Sequence, residues 1–170
     1  MDIHVSSPDG QSPGFLSWSG RRFACSLGKG GIRTTKIEGD GASPVGRFAF
    51  RRVFWRPDRV ERPATALPAT AIDPSMGWCD DPGHPDYNRF VTLPHPASCE
   101  RLWRDDGIYD VIVVLGHNDD PPVPGLGSAI FLHLRRPDGG PTLGCVALSL
   151  EDLTALLAQV HTGDALVIEG

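Results

Sequence analysis

No run of apolar residues in this chain reaches the roughly 18 that a membrane-crossing helix needs, so no spanning helix is expected. Positive charge is also scarce. Sixteen Lys and Arg stand against 21 Asp and Glu, a net charge of -5, which argues against a nucleic-acid partner because phosphate binding needs concentrated basic charge. The pairs Arg21-Arg22, Arg51-Arg52 and Arg135-Arg136 are short and read as solvated edges. Four cysteines are too few for a disulfide scaffold in 170 residues. The N-terminus, Met1-Asp2-Ile3-His4, has neither a basic segment nor an apolar one. It does not read as a secretory signal, which leaves a cytoplasmic protein or one whose leader is missing.

Glycine (20) and proline (16) are plentiful and spread between short apolar runs. This punctuation predicts many turns and strands in a single domain spanning 1–170. Phe15–Trp18 and Arg22–Leu27 flank Ser19-Gly20 as a hairpin. Gly28–Gly31 reads as a turn, Thr34–Glu38 as strand, and Arg47–Phe54 as strand. Residues 57–105 are irregular, with one short helix expected over Pro96–Arg104. Tyr109–Leu115 and Ala129–Leu134 are apolar enough for buried central strands. A helix is expected over Leu150–His161, capped by Ser149 with Asp152 three residues on and ended near Gly163. Its stripe is Leu150, Leu153, Leu156, Leu157 and Val160. Ala165–Glu169 closes the chain as a strand. The predicted class is a mostly-β sandwich or barrel with one late helix.

The chemistry concentrates in Ala129–Leu148. His133 ends an apolar strand. Cys145 follows twelve residues later, after Thr142-Leu143-Gly144, and leads towards the helix. Two strand ends joined by a short loop can bring an imidazole to a thiol, the arrangement that activates a cysteine nucleophile. Gly144 allows close approach of a substrate carbonyl, and backbone N–H groups beside Cys145 can hold a developing oxyanion. A buried core thiol and a satisfied strand-end histidine would give the same sequence, and that alternative stays open.

This stretch resembles the YkuD-type L,D-transpeptidases, whose pattern runs from a strand His to a Ser/Thr-x-Gly-Cys signature. His133 and Thr142-Leu143-Gly144-Cys145 match it. Upstream, Gly39-Asp40 and Ser43-Pro44-Val45-Gly46-Arg47-Phe48 resemble the family's Gly-Asp and Thr-Pro-x-Gly-x-Phe stretch. Leu134, Leu143 and Ala147 depart from the family's usual Gly, His and Arg, and the His-to-Cys loop is short. Loss of that Arg removes a carboxylate clamp, for which Arg135 or Arg136 could substitute. The resemblance implies a β-sandwich or barrel with a helix after the catalytic cysteine. It implies an acyltransferase, with Cys145 and His133, helped by Gly144 and Thr142, forming a thioester from a peptide donor, typically a peptidoglycan stem, and passing it to an amine. It implies no cofactor. Hydrolysis by water and a non-catalytic binding module on the same scaffold are the competing readings. Family members usually act outside the cytoplasmic membrane.

His117, Asn118 and Tyr109 are candidates to line a substrate pocket, Arg135 to supply charge, and Trp78, Asp80, Asp81, Tyr87 and Asn88 to form a substrate-facing loop. Cys79, His84, His95 and Cys99 allow zinc or a Cys79–Cys99 disulfide, against a leading expectation of no metal. The substrate is the expected partner, and a monomer the expected state.

Overall fold

A computed structural model describes all residues, 1–170. The first hairpin forms as the pattern predicts. β1 (Asp2–Ser6) precedes β2 (Gly14–Trp18) and β3 (Arg21–Cys25). Ser19 and Gly20 both take positive φ (49° and 72°), the twist that suits a two-residue hairpin turn. Two-residue strands β4 (Ile32–Arg33) and β5 (Ser43–Pro44) pair in parallel and lead into β6 (Gly46–Trp55). Thr34–Glu38, expected as strand, turns instead. The Asp40 carboxylate accepts the N–H groups of Ile37 (2.9 Å) and Ala42 (2.8 Å) and curls the chain around itself.

The irregular region contains β7 (Ala69–Ala71), β8 (Met76–Cys79), β9 (Phe90–Thr92) and β10 (Cys99–Arg101). No helix covers Pro96–Arg104. Its residues are held extended by antiparallel pairing of Cys99, Glu100 and Arg101 with Cys79, Trp78 and Gly77. Then come β11 (Val111–Leu115), β12 (Phe131–Leu134), β13 (Val146–Leu148), α1 (Leu150–Leu157) and β14 (Ala165–Ile168). Ser149 caps α1 as expected, its hydroxyl accepting the Asp152 N–H. The helix stops earlier than its apolar stripe suggests, at Leu157 with Ala158 as C-cap. Gly163 instead serves the turn into β14, at φ 100°.

The large sheet runs β13-β12-β11-β6-β14-β1-β2-β3, with β7 attached to β6. Just past β3, Ser26 exchanges two backbone hydrogen bonds of 2.9 Å with Ala147 in β13. That pair brings the two edges together, so the sheet is nearly a closed barrel and exposes little unpaired edge. Ile3, Leu16, Val113, Leu132, Val146 and Leu166 fill its interior, and Leu153, Leu156 and Leu157 of α1 join them. β11 is buried on both faces. Val111, Val113 and Leu115 point into the main core. Ile112 and Val114 point the other way, into a second cluster with Phe54, Trp78, Tyr109, Phe131 and Cys145. The small sheet β10-β8-β9 contributes to that cluster. No helix is long and apolar enough to cross a membrane.

Candidate active site

β12 pairs in parallel with β13, setting His133 opposite Ala147 and Leu132 opposite Val146. Alternation then aims Phe131, His133, Cys145 and Ala147 away from the main core. His133, Cys145 and Ala147 line one cavity of about 440 Å³. Cys145 precedes β13 and, on extending the register, lies level with Phe131, two residues along the strand pair from His133 and on the same face.

The Cys145 thiol donates to the carbonyl of Ala129 (3.2 Å), and its sulfur accepts the N–H of Phe131 (3.3 Å). Ala129 takes a left-handed backbone, φ 52°, unusual for a residue with a Cβ. It is held there partly by Asn88, whose Oδ1 accepts the Ala129 N–H (3.1 Å) and the Trp78 indole N–H (2.9 Å). Burial pushes the Cys145 thiol up to about 12, and the negative charge of Glu100 adds to the effect. On His133, Nδ1 donates to the Leu134 carbonyl (2.9 Å), because a carbonyl can only accept; Nε2 is left as the ring's free base. Burial pushes His133 down to about 4. The sulfur's hydrogen bonds go to backbone and not to the imidazole, so the pair rests as neutral thiol and neutral imidazole.

The loop before Cys145 is closed by Thr142. Its hydroxyl donates to the Cys145 carbonyl (2.6 Å) and accepts the Gly144 N–H (3.1 Å). Gly144 has φ 133°, and a Cβ there would lie 2.9 Å from the Ala42 carbonyl oxygen. This close approach joins the two halves of the sequence motif. The buried Ser43 hydroxyl donates to the Gly144 carbonyl (2.9 Å) and accepts the Gly28 N–H (2.9 Å).

The family profile of the L,D-transpeptidase catalytic domain, YkuD, matches residues 15–168. The chain belongs to the YkuD family. Among solved structures it is similar to an L,D-transpeptidase from Mycobacterium smegmatis, with 13% identity, a TM-score of 0.46, and coverage of 99% of this chain and 58% of that one. It is also similar to L,D-transpeptidase 3 from Mycobacterium tuberculosis, with 15% identity, a TM-score of 0.46, and coverage of 99% and 61%. The chain therefore spans about three fifths of the length of these two solved chains. No curated protein matches it.

The remaining sequence-predicted residues of this YkuD domain divide between the cavity and its supports. Tyr109 lines the cavity, its ring edge-on to His133 (5.3 Å between centroids) and its hydroxyl donating to Glu100 (2.6 Å). Trp78 is packed edge-on against Phe131 (5.2 Å) outside the cavity. Tyr87 is also outside it, but its hydroxyl donates to Glu38 (2.5 Å), a cavity residue. His117 and Asn118 do not reach it. His117 Nε2 donates to the Leu126 carbonyl (3.0 Å), and Asn118 bonds Val123 and Gly127, so both staple the loop between β11 and β12. Of the two arginines after His133, Arg136 reaches the cavity and Arg135 does not.

Several cavity residues were not singled out by sequence reasoning. Lys29, Lys36 and Arg104 join Arg136 in bringing positive charge, while Glu38 and Glu100 join Asp80 in bringing negative charge. Burial raises the Glu100 carboxyl above its ordinary value, with Tyr109 and Arg104 opposing. Lys36 is buried against Asp40. Glu100 and Arg104 lay in the segment read as irregular or helical, where no periodicity marks a face. Lys36 precedes the Gly39-Asp40 motif, which was the one available signal.

Proposed function

We propose that this chain is a cysteine acyltransferase of L,D-transpeptidase type, acting on a peptide of the peptidoglycan-stem class. The observation that carries the reading is that Cys145 and the free Nε2 base of His133 line one cavity in a YkuD domain. Because the thiol rests near 12 and the imidazole near 4, a preformed thiolate–imidazolium pair is strongly uphill. Proton transfer therefore accompanies attack. The sulfur bonds to the donor carbonyl carbon as its proton passes to His133 Nε2. The oxyanion is met by N–H groups of the Cys145 loop. Thr142 consumes that of Gly144, which leaves those of Leu143 and Cys145. The C–N bond then breaks, His133 returns the proton to the departing amine, and a thioester remains. The nitrogen of an acceptor amine then bonds to the thioester carbonyl carbon as its proton passes to His133. The C–S bond breaks, His133 returns the proton to sulfur, and a new amide and the free thiol result.

A cavity with both signs of charge suits a zwitterionic peptide. Arg136 and Lys29 line the same cavity as Ala147, the position of the family's usual carboxylate-clamping arginine, and Asp80 and Glu100 bring the opposite charge to it. Water in place of the amine would make the same site an amidase.

The test uses a β-lactam acylating agent. Another structure similar to this chain is the Mycobacterium tuberculosis L,D-transpeptidase 3 with a faropenem-derived adduct. Intact-mass analysis after faropenem treatment is expected to show one adduct, mapped to Cys145 and absent in Cys145→Ala. An adduct on Cys25, Cys79 or Cys99 alone would defeat the proposal. Stem-peptide turnover with and without an added amine then separates transfer from hydrolysis.

A further inference from the structure

We propose that Cys79, Cys99 and His95 form a site for a thiophilic divalent metal, zinc foremost, which pins the small sheet over the active-site cavity. The two cysteines face each other across β8 and β10. The backbone N–H and carbonyl of Cys79 bond Arg89 and Asn88 on the opposite side (2.9 Å each). Towards β10 the pair is thus non-hydrogen-bonded, the position where cross-strand side chains lie closest. The loop between β9 and β10 folds His95 onto them. Its Nδ1 lies 3.3 Å from the Cys99 sulfur and accepts the Ala97 N–H (3.2 Å), so Nδ1 carries the lone pair. The two sulfurs and a ring nitrogen of His95 all lie within 4.8 Å of one another. A tetrahedral zinc with bonds of about 2.0–2.3 Å needs ligand separations of about 3.5–3.8 Å, so a small contraction suffices.

The outer shell points to a metal more than to a bare thiol pair. His95 Nε2 donates to the Asp86 carboxylate (3.1 Å), the carboxylate–histidine arrangement that fixes the tautomer of metal-bound histidines. A disulfide would use both sulfurs and give neither His95 nor Asp86 a part. Three protein ligands leave a fourth position for water. Binding releases the two thiol protons and leaves two thiolates on the metal.

The site's place in the fold gives it a consequence. Strands of three or four residues make a weak sheet by themselves. Cys79 and Cys99 directly precede Asp80 and Glu100, which alternation sends to the other face and into the cavity. A metal joining the two cysteines fixes the wall that carries those two carboxylates.

The experiment is metal analysis of the full chain, purified under phosphine reduction, with chelator competition and replacement by cobalt. The expected result is one zinc per chain, a cobalt derivative with thiolate charge-transfer absorption, and unchanged stoichiometry in Cys145→Ser. Asp86→Asn is expected to weaken binding about 10–100-fold, and Cys99→Ser or His95→Ala to weaken it further. Because those two substitutions also remove packing within the small sheet, the wild-type measurement decides. No zinc retained by the reduced wild-type chain, a cobalt derivative without thiolate absorption, or loss of binding in Cys145→Ser would each overturn the site. So would a natively isolated chain two hydrogens light with Cys79 and Cys99 bridged.

Discussion

Cys25 and Cys145 are both buried thiols, and burial pushes both up to about 12. Acidity does not separate them; surroundings do. Cys25 lies in the barrel core, with Leu27, Val146 and Leu153 in the same cluster, and is 0% exposed. Cys145 is 7% exposed, faces a cavity, and shares it with an imidazole and seven charged side chains. A raised thiol pKa records burial. Whether the sulfur can react depends on a path for substrate and a base to take the proton.

The widest gap between the two is expected in activity. On the proposed reading, Cys145→Ala lowers acylation and turnover by about 10⁴-fold or more, because no other group supplies the nucleophile. Cys25→Ala leaves the rate within about twofold and lowers stability by about 1–2 kcal/mol through a small cavity. Single-turnover acylation and urea melts on both variants measure this. Equal rate losses would break the distinction.

His133 has no counterpart beside Cys25, so His133→Gln tests the base directly. Loss of about 10²–10⁴-fold in the acylation rate is expected, with the fold retained. A loss below tenfold would mean that water or another side chain takes the proton.

The strand that carries the core thiol was legible in the sequence, because Arg22–Leu27 stands as one arm of a hairpin around Ser19-Gly20. The candidate dyad was legible as well, because a histidine ending an apolar run and a Thr-x-Gly-Cys step are local signals. Their support was not. Asn88 holds Ala129 across 41 residues, Glu100 reaches the cavity from a sheet whose strands are three or four residues long, and Arg104 reaches it from just beyond β10. Such strands are too short for a period to emerge, and the pairing that makes them depends on long-range contacts. His117 and Asn118 looked like pocket residues because a polar pair after an apolar strand marks a loop. The same position equally suits a loop staple, which is how the fold uses them.

pH separates the two neighbourhoods on one limb only. Above pH 9, both thiols are held protonated by the fold and released on unfolding, so each costs stability between about 9 and 12 and the alkaline limb cannot tell them apart. The acid limb belongs to the cavity side. His133 falls from 6.5 unfolded to about 4 folded, so the unfolded chain binds the extra proton first. Its contribution is intact above 6.5 and is lost as pH falls towards 4, about 3 kcal/mol in all. Burial lowers His117 too and adds to the same limb. The difference between wild-type and His133→Gln melts from pH 4 to 7 isolates His133. Parallel curves would show that the imidazole is not buried neutral.

The smallest expected effect compares two serines. Ser26, next to Cys25, donates to the Gly139 carbonyl (3.1 Å) on an exposed turn, where water can replace it. Ser43 bonds the Gly28 N–H and the Gly144 carbonyl in a fully buried position. Ser43→Ala strands both groups and is expected to cost about 1–3 kcal/mol, while Ser26→Ala is expected to cost less than about 1 kcal/mol. Ser43→Ala is also expected to slow acylation, since Gly144 sets the backbone from which the Cys145 N–H projects. If the two serines cost the same and Ser43→Ala acylates normally, the upstream motif serves the barrel rather than the cysteine loop. The coupling between the motif's two halves would then be one of packing alone.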